Sequence, residues 1–102
     1  MFQPLDGPAI QGTISVNTTV PQLVKVGASA FDERKVITIQ PIDGRIYVYF
    51  ANDGENPNAA TISSKGFIQY KIQKDSYEAS HTQNVYILAV SGTVDVRIAE
   101  RS

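Results

Sequence analysis

Asn84-Val85-Tyr86-Ile87-Leu88-Ala89-Val90, Ser91-Gly92, and Thr93-Val94-Asp95-Val96-Arg97-Ile98 form the stretch that decides the fold. The first run is apolar at nearly every position, as a central strand covered on both faces requires. The last run alternates, with Val94, Val96 and Ile98 on one side and Asp95 and Arg97 on the other. Successive side chains of a strand point to opposite faces, so this segment buries one face and wets the other. Ser91-Gly92 between them reads as a tight turn. Glu100-Arg101-Ser102 is then expected to end in solvent.

Upstream, the same period of two recurs. Ile14 and Val16 alternate with Thr13 and Ser15, and Leu23-Val24 leads into Val26. Val36-Ile37-Thr38-Ile39-Gln40 is β-branched and strand-like, and Arg45-Ile46-Tyr47-Val48-Tyr49-Phe50 follows it. Asp43-Gly44 between these runs suits a type I′ turn, which predicts a hairpin pairing 36–41 with 45–50. Asn52 to Asn58 is polar and turn-forming, so a loop is expected from there to about Gly66. From Ile68 the chain alternates apolar and polar again, and Ser76-Tyr77-Glu78-Ala79 is a weaker strand candidate. About eight short strands with frequent turns and no amphipathic helix predict an all-β, jelly-roll-like sandwich or a barrel.

The chain of 102 residues fits one domain, and a domain of this size buries roughly 65% of its unfolded surface. The expected organisation is an extended N-terminal arm over 1–9 and one β-sandwich domain over 10–102. Pro4, Gly7 and Pro8 keep the arm from being a helix interior or a central strand. It has neither the basic nor the apolar region of a signal peptide, which suggests a protein made in the cytoplasm and not exported by the general route. No apolar run reaches the roughly 20 residues of a membrane span. Nine Lys and Arg are scattered among ten Asp and Glu, with no basic stripe of the kind nucleic-acid binding needs.

Catalytic chemistry finds few residues to work with. There is no Cys and a single His, His81, in a polar stretch. Zinc wants three or four ligands, and a surface loop residue is the ordinary reading of such a His. No Gly-x-Ser-x-Gly elbow is present. Asp32-Glu33 and Asp53/Glu55 could be paired carboxylates, but both pairs lie in expected loops and read as solvated charges. The oxygen-rich Asn52-Asp53-Gly54-Glu55-Asn56 run lacks the spacing of an EF-hand, and turn chemistry accounts for it. Tyr47 and Tyr49 share a strand face and could stack on a sugar or base; packing is their default role.

Three groups of segments resemble small virion structural proteins of tailed bacteriophages, of the decoration or cement type. The first two are Lys25-Val26-Gly27-Ala28-Ser29-Ala30 and Arg34-Lys35-Val36-Ile37-Thr38-Ile39-Gln40 with Ile46-Tyr47-Val48. The third and strongest is Val85 to Glu100, with its Ser91-Gly92-Thr93-Val94-Asp95-Val96-Arg97 core. The likeness spans roughly residues 20–100, and the polar 52–65 loop is longer than the pattern has. The resemblance implies a jelly roll without catalytic residues or cofactor. It implies a location on the outer capsid surface of a phage head, where a homotrimer made in the host cytoplasm would brace the major capsid protein. Candidate contacts are Phe2 and Leu5 of the arm, Asn52, Asp53 and Glu55 of the loop, and Tyr47 and Tyr49. The apolar Val24, Tyr47, Tyr49 and Ile68 look exposed and suggest a covered face. The alternative is a carbohydrate-binding or receptor-binding module of a phage tail or tail fibre, using the same tyrosines and loop. A cupin-like enzyme would need a His cluster that the chain lacks.

Overall fold

The computed structural model describes residues 9–102. Eight strands follow in chain order: β1 (Ala9–Val16), β2 (Gln22–Leu23), β3 (Val36–Pro41), β4 (Ile46–Phe50), β5 (Phe67–Gln69), β6 (Asp75–Glu78), β7 (Val85–Ala89) and β8 (Val94–Arg101). They form two four-stranded antiparallel sheets, ordered β1-β8-β3-β6 and β2-β7-β4-β5. The pairs β1·β8, β2·β7, β3·β6 and β4·β5 nest inside one another. The chain is thus one long hairpin, bent between β4 and β5 and rolled into two layers. That is the jelly-roll arrangement the strand count implied.

The core follows from the alternation. Ile37 and Ile39 of β3, Ile46 and Val48 of β4, Val85, Ile87 and Ala89 of β7, and Val94, Val96 and Ile98 of β8 are all buried between the layers. Each fully buried Ile or Val is worth about 1.5–3 kcal/mol over its exposed state. Asp95 and Arg97 point to solvent, in the register expected. β7 is buried nearly throughout because it lies inside its sheet, and a covering element shields its outer face.

The Asp43-Gly44 hairpin does not form. β3 lies in the first sheet and β4 in the second, so their apolar faces meet across the core rather than side by side. The corner is fixed on β8 instead. The Ile42 N–H donates to the Asp95 carbonyl (2.8 Å), and the Asp95 N–H donates to Asp43 Oδ1 (2.9 Å). Gly44 does not take the positive φ of a type I′ turn. It is needed for closeness, since a Cβ there would lie 2.8 Å from Val94 Cγ2. Ser91-Gly92 likewise turns the chain from one sheet to the other, with Gly92 at φ 61°.

Three further expectations are corrected. The 52–66 loop contains a short helix, α1 (Ala59–Lys65), whose first turn is capped by the Asn58 side chain accepting from the Thr61 N–H (2.8 Å). Its Ile62 is fully buried, and α1 packs on the outer face of β4 and β7, where Leu88 is also buried. A single helical turn or two leaves too short a periodic pattern to read. Val24 is buried rather than exposed. Glu100 is wholly buried, because β8 continues through it as an inward-facing position to pair with a buried Arg34.

The open side of the sandwich, between edge strands β5 and β6, is closed by aromatic rings. Phe50 stacks on Phe67 (centroids 5.8 Å apart) and meets Tyr77 edge-on (5.4 Å). The Tyr77 hydroxyl donates to Gln69 Oε1 (3.1 Å). Gln69, rather than the apolar Ile68, is the buried residue of β5. Its Nε2 donates to the carbonyls of Ile39 and Gln73 (2.7 Å each).

Two outcomes test this arrangement. Val96→Asp places an unpaired charge in the core and should destabilise by at least about 3 kcal/mol, whereas Asp95→Ala should cost less than about 1 kcal/mol. Equal losses in thermal melts would contradict the register. Burial, helped by the Asp75 carboxylate, pushes the Tyr77 phenol up to about 12. A raised folded-state value means that its contribution is complete below the unfolded value of about 10 and is lost as pH rises from there towards 12. Melting temperature should therefore fall more steeply over that window in the native protein than in Tyr77→Phe; parallel profiles would contradict a buried phenol.

Candidate partner surface

The sequence directed attention to β4 and the loop after it. Tyr47 and Tyr49 do share the outer face of the second sheet, and both are half-buried there. Tyr47 sits between Leu88 and Ile68, and Tyr49 lies opposite Tyr86. The Tyr49 hydroxyl donates to Glu55 Oε2 (2.7 Å), and Glu55 Oε1 accepts from the Asn52 N–H (2.9 Å). The Tyr49 bond, then the Asn52 N–H, holds the Glu55 carboxyl below the ordinary carboxylate range. The same bond raises the Tyr49 phenol.

Asn52, Glu55 and Tyr49 are thus brought together, but as a fastening of the loop onto the sheet. The Tyr49 hydroxyl, both Glu55 oxygens and the Asn52 N–H are engaged with one another. Asp53 stands apart, exposed to solvent. Phe2 and Leu5 lie outside the described residues. Ala9, placed in the arm by the sequence reading, is the first residue of β1 and pairs with Arg101.

His81 is exposed in the connection between β6 and β7. It borders a recess of about 210 Å³ that reaches Arg34, Lys25 and Gln83. The guanidinium in that recess is fully committed. Nε–H is shared between the Ala79 and Ser80 carbonyls, Nη1 donates to the Val24 carbonyl and Glu100 Oε2, and Nη2 donates to the Ser80 and Gln83 carbonyls. A shallow depression of about 390 Å³ lies on the outer face of the first sheet, bordered by Gln11, Thr13, Thr38, Gln40, Lys74 and Arg97. It offers amide, hydroxyl and cationic groups without an acid–base pair. Among the described residues no three His, Asp or Glu side chains gather as metal ligands.

The most unusual surface is one of which the sequence singled out only Ile68 as exposed. Alternation from Ile68 suggested that Ile68, Tyr70 and Ile72 share one strand face. The strand ends at Gln69, and the chain enters a turn. Phe67, Ile68, Tyr70 and Ile72 are all exposed, at 45%, 39%, 57% and 54%. Ile72 has φ 69°, the one positive value at a residue other than glycine among the described residues. Periodicity cannot signal such a site, because Ile72 contradicts the preference of β-branched residues for negative φ.

No protein-family model matches the chain, and no curated protein matches it. Among solved structures, it is similar to a chain of the Bacillus endospore appendages, described as a family of disulfide-linked pili. The two are 11% identical over 94% of this chain and 90% of that one, with a TM-score of 0.41. A likeness this distant carries no argument about function.

Proposed function

We propose that this chain is a non-enzymatic structural protein of a phage virion, a decoration protein that docks as a homotrimer on the outer surface of the head and braces the major capsid protein. The observation that supports this reading is the rolled eight-strand topology, the fold implied by the resemblance in Lys25–Ala30, Arg34–Gln40 and Val85–Glu100. A bracing protein needs a stiff body, and two sheets closed by a satisfied buried ion pair supply one. It also needs surface free for neighbours. The exposed apolar residues of β5 and the following turn provide it. The segment before β1, which carries the apolar Phe2 and Leu5 in its sequence, is the second contact in this proposal.

A second reading, a carbohydrate-binding or receptor-binding module, draws on a different surface from the one the sequence suggested. The depression around Gln11, Thr13, Thr38 and Gln40 has the amide and hydroxyl groups that bind polyols. The tyrosines support it less, since Tyr49 already spends its hydroxyl on Glu55.

The test uses undecorated heads of the phage that encodes the chain. The purified protein should co-sediment with them saturably, and its molar mass by light scattering should be that of three chains. Deleting residues 1–8 should weaken attachment at least tenfold, about 1.4 kcal/mol, with little change in melting temperature. Absence of attachment would refute the decoration role, and a strict monomer at all concentrations would refute the trimer.

A further inference from the structure

We infer that the outer face of the first sheet is a binding site for an acidic polysaccharide, a chain of hydroxylated rings that carries carboxylates at intervals. This deepens the second reading above and rests on its surface; it does not depend on the decoration role.

Strand register builds the site. Across the sheet, in the order β1, β8, β3, β6, the outward positions fall into rows. Gln11, Ala99, Thr38 and Ser76 stand in one row. Thr13, Arg97 and Gln40 form the next row on one side, and Arg101 stands in the next row on the other. The small Ala99 is therefore central, with longer side chains around it. Two shallow depressions of about 390 Å³ each lie here, one reaching Arg97 and the other Arg101. Both are bordered by Gln11, Thr38, Lys74 and Ala99, so they adjoin over Ala99.

The cations here are uncommitted. Arg97, Arg101 and Lys74 are exposed, and among the described residues the one ion pair within 4.0 Å is Arg34–Glu100. No acid among the described residues borders either depression. Asp95 lies one row beyond Arg97, and Glu78 is two strands from Arg101 in its row. The neutral groups keep capacity as well. Thr38 Oγ1 and Ser76 Oγ share one hydrogen bond (2.8 Å), and each hydroxyl can make more. Gln40 donates from Nε2 to the Ile72 carbonyl (3.0 Å), which leaves its Oε1 to accept.

These groups select the ligand. A protein interface has an apolar centre, whereas this centre is one alanine among amides and hydroxyls. Nucleic-acid bases stack on aromatic faces, and no aromatic side chain among the described residues borders either depression. A neutral sugar would leave the three cations unused. Guanidinium forks take carboxylates in two parallel bonds, and the amides and hydroxyls match ring hydroxyls. Arg97 and Arg101 are four residues apart on one strand, about 13 Å. One carboxylate cannot bridge them, but a chain that carries several can meet both.

The experiment is calorimetric titration with polygalacturonate oligomers, with dextran as the neutral chain and oligothymidylate as the phosphate chain. The native protein should bind polygalacturonate, more weakly as salt rises, and bind dextran at least tenfold less well. Arg97→Ala/Arg101→Ala should weaken binding at least tenfold at an unchanged melting temperature. Ala99→Leu, which fills the centre without changing charge, should do the same. Lys71→Ala removes a cation that borders neither depression and should leave binding unchanged. Dextran bound as tightly as polygalacturonate, with the arginine variant no weaker, leaves the polyol reading standing and overturns the acidic ligand. Binding to neither chain refutes both. Tighter binding of oligothymidylate that the same variants abolish would assign the face to phosphate chains and overturn the inference. So would a loss in Lys71→Ala equal to that in the arginine variant. If the arginine variant melts lower, Lys74→Ala, outside the strands, carries the same test, and its unchanged binding would overturn the inference.

Discussion

The buried pair of Arg34 and Glu100 (Nη1 to Oε2, 3.0 Å) is the contact on which one whole end of the sandwich depends. Two connections cross between the sheets there, from β2 to β3 and from β6 to β7. Neither is regular, so each leaves backbone groups that need partners. Arg34 takes the carbonyls of Val24, Ala79, Ser80 and Gln83. Glu100 takes the N–H groups of Val26 and Phe31 (2.7 and 3.0 Å). Two opposite charges thus satisfy the donors of one loop and the acceptors of both, and among the described residues no buried side-chain polar atom lacks a partner. Desolvating the pair is expensive, so its value lies less in net stability than in fixing which loop conformation is allowed.

At the other end the joints combine main-chain bonds with neutral amides and the exposed Asp43 carboxylate. The Ala89 N–H reaches the Asn17 carbonyl (2.9 Å), the Val90 N–H reaches Arg45 (3.1 Å), and the Ile72 N–H reaches Pro41 (2.7 Å). These corners sit against strands rather than against a charged centre. It is at this end, on the turn after β5, that the chain exposes Tyr70 and the strained Ile72. A body clamped at one end that exposes apolar side chains at the other is compatible with the bracing role proposed above.

The legible parts of the fold were those governed by period two. β8 could be read residue by residue, and the double burial of β7 followed from its unbroken apolar run. Long-range pairing was not legible. Asp43-Gly44 has the chemistry of a local hairpin, but local chemistry cannot report that Asp95 waits to receive it. Glu100 read as a solvent-facing end residue, and nothing local marked Arg34 as buried, because each one's complement lies 66 residues away. Of the surface candidates, Tyr49, Asn52 and Glu55 come together in a fastening of the loop onto the sheet, which no local pattern signalled. Ile72 was hidden because its exposure comes from a backbone conformation its side chain disfavours.

A double-mutant cycle on Arg34 and Glu100 measures the clamp most directly. Arg34→Met or Glu100→Leu alone strands a buried charge and its loop groups, and each should cost about 3–5 kcal/mol in denaturant unfolding. The double variant should cost less than the two added together, by about 2 kcal/mol or more of coupling. Single losses under about 1 kcal/mol that simply add would show that the pair does not hold this end of the roll.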